Sequence, residues 1–123
     1  MASISDYVLD SALAKFDTEA NRIDITSQEA TTYTSATNTH TLGNKTSVSI
    51  GAPADRSGGG REVTVSAITD GSVSGTGTAT HYAIVDTTNT RLLGTGSLSS
   101  SQAVTSGNTF SLASFKIGIP DPA

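Results

Sequence analysis

Cysteine and tryptophan are absent from this 123-residue chain, methionine occurs once and proline three times. Without cysteine there is no disulfide, no thiolate nucleophile and no thiolate metal site, so packing or partners must supply the stability. Charge is also scarce. Only 15% of residues are charged, the net charge is -4, and the seven Lys and Arg are scattered without a cluster, which leaves no electrostatic footprint for nucleic acid. No run of about 18 apolar residues occurs, and the segment from Met1 to Asp6 has neither a basic n-region nor an apolar h-region. The expectation is a protein made soluble in a cytoplasm, with no membrane partner.

What the chain does have is hydroxyl: Ser and Thr make up roughly 30% of it, well above ordinary usage. Thr fits a pleated surface and both hydroxyls satisfy turns, so this composition suits exposed β-structure. Hydrophobic residues are only 35%, a mark of disorder, but disorder usually also brings high net charge. The alternation of Val, Ile and Leu argues for a fold. The length matches a single domain over residues 1–123 with one modest core.

Over 3–16, "SISDYVLDSALAKF", apolar residues fall at Ile4, Val8, Leu9, Ala12, Leu13 and Phe16, a helical stripe, with Ser3 and Asp6 resembling a capping box. A polar turn follows at Asp17 to Asn21, and a β-domain is expected over 21–119. "RIDITS" alternates as a half-buried strand. The polar segment "QEATTYTSATNTHTLGNKT", with a lone Tyr33 and Leu42, reads either as a long exposed loop or as an edge strand that leans on another chain. "SVSIG" at 47–51 and "REVTVSAI" at 61–68 read as strands, the triple glycine Gly58, Gly59 and Gly60 as a flexible loop, and Asp70-Gly71 as a turn. "SVSGTGTATHYAIVD" and "TRLLGTGSLS" form a β-hairpin across Asp86-Thr87-Thr88-Asn89. "QAVTSG" and "TFSLASFKIGI" complete the strands, and 120–123 form an extended tail. About seven short strands after one helix predict a mainly β fold, an antiparallel β-sandwich or small β-barrel.

The run Gly75-Thr76-Gly77 raises the question of a phosphate loop. Such loops stand where a strand turns into a helix, whereas the residues after Gly77 alternate like a strand. The tripeptide recurs at Gly94-Thr95-Gly96, on the other arm of the hairpin, so both read as glycines that admit a bulky side chain or a bulge. His40 and His81 are the only histidines, too few for a three-histidine zinc site. No G-x-S-x-G elbow or D-x-D-x-D-G calcium loop is present, and the dispersed carboxylates predict neither enzyme nor cofactor. Asn44-Lys45-Thr46 is read as a chance sequon. Arg61, closing the glycine run, is either presented to a partner or solvated.

In Tyr7-Val8-Leu9-Asp10, in Arg22-Ile23-Asp24-Ile25 and most clearly in "VTVSAITDGSVSGTGTATHYAIVD" and "TRLLGTGSLSSSQAVTSGNTFSLASFKIGIPDP", the chain resembles small virion proteins of tailed bacteriophages and prophages of Gram-negative bacteria, encoded near capsid genes. The resemblance covers most of the chain. It implies a structural role, most plausibly a head decoration or cement protein on the capsid surface. The partner would be the major capsid protein, and such proteins are often trimers, so a homo-oligomer is expected. It carries over no catalytic motif and no cofactor. The expected interaction surfaces are the helix face Ile4, Val8, Leu9, Leu13 and Phe16, the segment around Tyr33, and Arg61, although the helix could equally cover the domain's own sheet. Two rival classes are a tail or fibre component binding a host-surface glycan and a small envelope hydrolase. The first would need an aromatic platform, the second a convergent acid/base pair.

Overall fold

The computed structural model describes residues 4–120. Ser3 of the expected cap and residues 121–123 of the expected tail lie outside the described residues. The Ser5 carbonyl accepts the amides of Val8 and Leu9 and so opens α1 (Asp6–Glu19). Asp6 stands in the first turn, where the helix dipole favours an anion. The helix runs three residues past the expected end at Phe16. Lys15 pairs with Glu19 at 2.9 Å and the Thr18 hydroxyl bonds back to the Ala14 carbonyl, so the polar residues expected to form a turn add a last helical turn instead.

Among the described residues nine strands follow: β1 (Arg22–Thr26), β2 (Thr41–Thr46), β3 (Ala54–Asp55), β4 (Arg61–Val65), β5 (Ile68–Val73), β6 (Gly77–Asp86), β7 (Arg91–Val104), β8 (Thr109–Leu112) and β9 (Phe115–Ile119). All pair antiparallel, in a six-stranded sheet of order β7-β6-β1-β2-β5-β8 and a three-stranded sheet of order β3-β4-β9. The fold is mainly β, as expected for a sandwich or barrel class, with nine strands in place of about seven. By contacts the chain divides into two compact units, one made of α1 and the three-stranded sheet, the other of the six-stranded sheet.

Several local expectations are corrected. The segment after β1 is neither loop nor edge strand. It folds into a helical turn that ends as a π-helix over Ser35–Thr39, with the Ser35 hydroxyl accepting the Thr31 and Thr32 amides and the Thr32 hydroxyl accepting the Ser35 amide. The next strand is 41–46 rather than 47–51. Ser47 has φ 56, a left-handed kink that ends β2, and Ile50 keeps a single bridge to Val65. The expected strand 61–68 breaks after Val65, and Asp70-Gly71 lies inside β5. "QAV" is not a separate strand but the end of β7. The triple glycine forms a closed turn between β3 and β4. All three residues have φ between 87 and 106, where glycine is nearly strain-free, and the Arg56 amide and guanidinium bond to the Gly60 and Gly59 carbonyls.

The β6–β7 hairpin forms as expected, and Gly77 opens a strand, not a helix. Cross-strand pairing explains its glycines. Ile23, Ile25, Ile84, Val73 and Phe110 share one face of the six-stranded sheet, and Gly43, Gly71, Gly94 and Gly96 share it too. Gly43 stands opposite Ile25 and Val73, Gly71 opposite Phe110, Gly94 opposite Ile84 and Gly96 opposite Tyr82. A Cβ at Gly71 or Gly96 would enter the Phe110 or Tyr82 ring, and one at Gly43 would meet the Ser72 carbonyl. Large side chains thus borrow the volume their neighbours leave out, which lets the backbones approach and the sheet coil. The Gln102 amide on β7 donates to the Ser111 carbonyl on β8 at 2.8 Å, so the two edge strands meet at one end of a curled half-barrel. The opposite face carries a second cluster, in which Ala36 of the helical segment and Ala30 just before it cover Ala83 and Val85, with Tyr33 and Leu92 packed against them.

Candidate functional site

Helical geometry places Asp6 and Asp10 on one face of α1, four residues apart, and that face meets β4. Arg61 donates from Nε to Asp10 Oδ1 at 2.8 Å, from Nη2 to Asp10 Oδ2 at 3.1 Å and from Nη1 to Asp55 Oδ1 at 2.7 Å. The Pro53 carbonyl accepts a further bond at 3.3 Å, and Asp6 lies 3.9 Å away. Bonding to Asp10 first, and then to Asp55, pushes the guanidinium above its ordinary value. Arg61 is thus bonded to carboxylates of its own chain rather than free in solvent. It ties the helix to the β3–β4 turn inside one unit, its single positive charge shared among the carboxylates of Asp10, Asp55 and Asp6.

A second ion pair is set by period-2 geometry, which puts Arg22 and Asp24 on one face of β1. Asp24 is fully buried. It accepts Arg22 Nε and Nη2 at 2.6 and 2.7 Å and the Thr41 hydroxyl at 2.6 Å. The bond to Asp24 raises the Arg22 guanidinium against the opposing pull of burial. Two positions on, the fully buried Thr26 hydroxyl has no hydrogen-bond partner among the described residues. An unsatisfied buried hydroxyl is unfavourable, so Thr26→Val, which keeps the shape, is expected to stabilise the chain by about 1 kcal/mol in urea unfolding. A loss of stability instead would show that the hydroxyl is bonded in solution.

At the hairpin turn Asp86 accepts the amides of Thr88 and Asn89 and the Asn89 side chain at 3.0, 3.3 and 2.8 Å. These bonds, the Asn89 side chain first, hold its carboxyl below the ordinary value although burial opposes them. A carboxyl lowered in the folded state contributes stability above its unfolded value and loses it as pH falls through the folded one. The wild-type chain is thus expected to lose stability below about pH 4 more steeply than Asp86→Asn, which acid titration of the unfolding midpoint would register as a shallower limb in the variant.

The histidines are committed locally. The Thr80 hydroxyl donates to the Ser27 carbonyl at 3.0 Å, so its contact with His81 Nδ1 at 2.8 Å requires the ring to donate. His40 Nε2 accepts from the Gln28 amide at 3.1 Å. No group of three or more metal-ligating side chains occurs among the described residues, and none of their helices is long and apolar enough to cross a membrane. Asn44 of the sequon sits in β2 between β1 and β5.

The expected helix face divides. Leu9 and Leu13 are buried where α1 lies on β4, and Phe16 is partly buried. Ile4 and Val8 point outward, 39% and 55% exposed, beside Tyr7 at 83%. Tyr33 is half-buried over the alanine cluster. Sequence reading missed Tyr7, which precedes Val8 on the outer side of the helix, and both carboxylates that hold Arg61. The i,i+4 pair Asp6 and Asp10 was the available signal for a facing cation. Compared with known proteins, the chain matches no family model, no curated protein sequence and no solved structure.

Proposed function

We propose that this chain is a structural protein of a tailed-phage virion, a head decoration or cement protein that binds the outer capsid lattice and stabilises it. Its partner is the major capsid protein, and it acts as a homo-oligomer on the capsid surface after synthesis in the host cytoplasm. The observation that supports this reading is the outward apolar patch of Tyr7 and Val8, with Ile4 just before them, at the start of a helix whose other side is already held by Leu9, Leu13 and the Arg61 pairs. An anchored helix with an apolar outer end fits a groove on another protein. A lattice repeats that groove many times, so a modest contact per copy suffices.

The test is co-sedimentation of the purified chain with capsid shells that lack it, from the phage or prophage carrying the gene. Saturable binding at a fixed ratio to the capsid subunit is expected. The double variant Tyr7→Asp, Val8→Asp, which alters only exposed positions, is expected to weaken binding at least about tenfold while leaving the fold intact. Glycan binding without shell binding would move the chain to a tail or fibre and overturn the capsid assignment.

A further inference from the structure

A sheet edge exposes a row of main-chain donors and acceptors, and folded proteins blunt such edges with short strands, bulges or charges. Three of the four edges among the described residues are short or irregular. β7 leaves Leu93 unpaired, and over 98–101 four residues oppose the single residue Thr80. β8 has four residues, and Gln102 occupies its Ser111 carbonyl. β3 has two residues and ends at the Asp55–Arg61 pair. β9 has no bulge, and its one such device is the charge of Lys116. It pairs with β4 from Arg61↔Ile119 to Val65↔Phe115 without a register shift, and it has no second sheet neighbour among the described residues. Phe115, Ile117 and Ile119 are half-buried. The one charge on the strand, Lys116, is neutralised by Glu62 at 2.9 Å.

We propose that two copies of this chain join through β9, antiparallel about a two-fold axis at Ile117, so that two three-stranded sheets become one of six strands. The strand is self-complementary in that register. Ile117 meets Ile117 of the second copy and Phe115 meets Ile119, so apolar residues adjoin on one face; on the other, Lys116, already paired with Glu62, meets Gly118, over which the Arg56 side chain lies. Arg61, Val63 and Val65 share the face turned to α1, and Ile119, Ile117 and Phe115 stand directly across from them. The two-fold of an antiparallel pair is perpendicular to the sheet, which brings both α1 helices to the same face. Each helix lies on its own β4, and the two β4 strands are three strand spacings apart, roughly 14 Å. Packed helices stand closer, at about 8–10 Å. The apolar side chains of the two β9 strands fill the difference.

A chain without cysteine makes the test clean. Oxidised at micromolar concentration, Ile117→Cys lies on the axis and is expected to crosslink to a dimer about tenfold faster than Lys116→Cys, because disulfide closure demands close Cβ atoms. Light scattering of the wild-type chain is expected to give twice its 12.5 kDa. Ile117→Glu places two carboxylates on the axis and is expected to run as a monomer with unchanged circular dichroism; if that variant fails to fold, the crosslinking comparison still decides. A wild-type chain that stays monomeric at high concentration, a trimer, or equal crosslinking at both positions overturns the proposal.

Discussion

Replacing Leu13 by alanine is expected to lower stability by about 3–5 kcal/mol and to release α1 from β4. A helix of 14 residues is marginal on its own, and only Leu9 and Leu13 of this one are buried. Leu13 is the deeper of the two, fully enclosed, so its truncation removes both transferred area and packing at the point where helix and strand meet. The reading is a urea unfolding midpoint together with the ellipticity at the helical minimum, which should fall ahead of the sheet signal. A loss under about 1 kcal/mol would mean that the Arg61 bonds to Asp10 hold the helix and that the leucine site collapses without strain. The contrast with the outer patch is sharp: Val8→Ala should leave stability unchanged within about 0.5 kcal/mol, because Val8 is more than half exposed.

The second large effect is expected from Gly71→Val, a loss of about 3 kcal/mol. Gly71 does not have the left-handed φ of Gly58, Gly59, Gly60 and Gly107, so backbone strain is not the cause. The new Cβ would occupy the position of the Phe110 ring, which must leave its rotamer or push the strands apart. Phe110→Ala alone is expected to lose about 3–5 kcal/mol, as deletion of a buried ring does. The two changes together should be milder than their sum by about 1–3 kcal/mol, since the ring that blocks the valine is gone. Denaturation of all four chains completes the cycle. Strict additivity would refute the ring-over-glycine contact.

That contact also explains where the sequence was legible and where it was not. Ile23 and Ile25 announce β1 because apolar side chains mark every second position. β2 is a central strand, yet "TLGNKT" shows no such pattern, for its places on the buried face are Gly43 and Lys45 and the volume comes from Ile25 and Val73 on either side. Periodicity counts large side chains, and a strand whose core position is a glycine is invisible to it. Asp70-Gly71 was misread as a turn for the same reason. The helix was legible, but its stripe was drawn too wide. Val8 lies about 100° around the helix from Leu9, so one residue faces out while the next is buried. Arg61 could not be assigned, because its principal partner Asp10 stands 51 positions away.

The strand order has a kinetic consequence. β1 pairs on one side with β2, its successor, and on the other with β6, where Arg22 meets Val85, 63 positions later. Loop closure of that length must be met before the contact rewards it, and antiparallel sheets dominated by distant pairings fold in roughly milliseconds to seconds. The β6–β7 hairpin, closed by the Asp86 turn, needs no distant partner and should be structured early. The platform under α1 is finished only when β9 pairs with β4, from the other end of the chain. α1, which precedes every strand, is thus among the last elements to find its place.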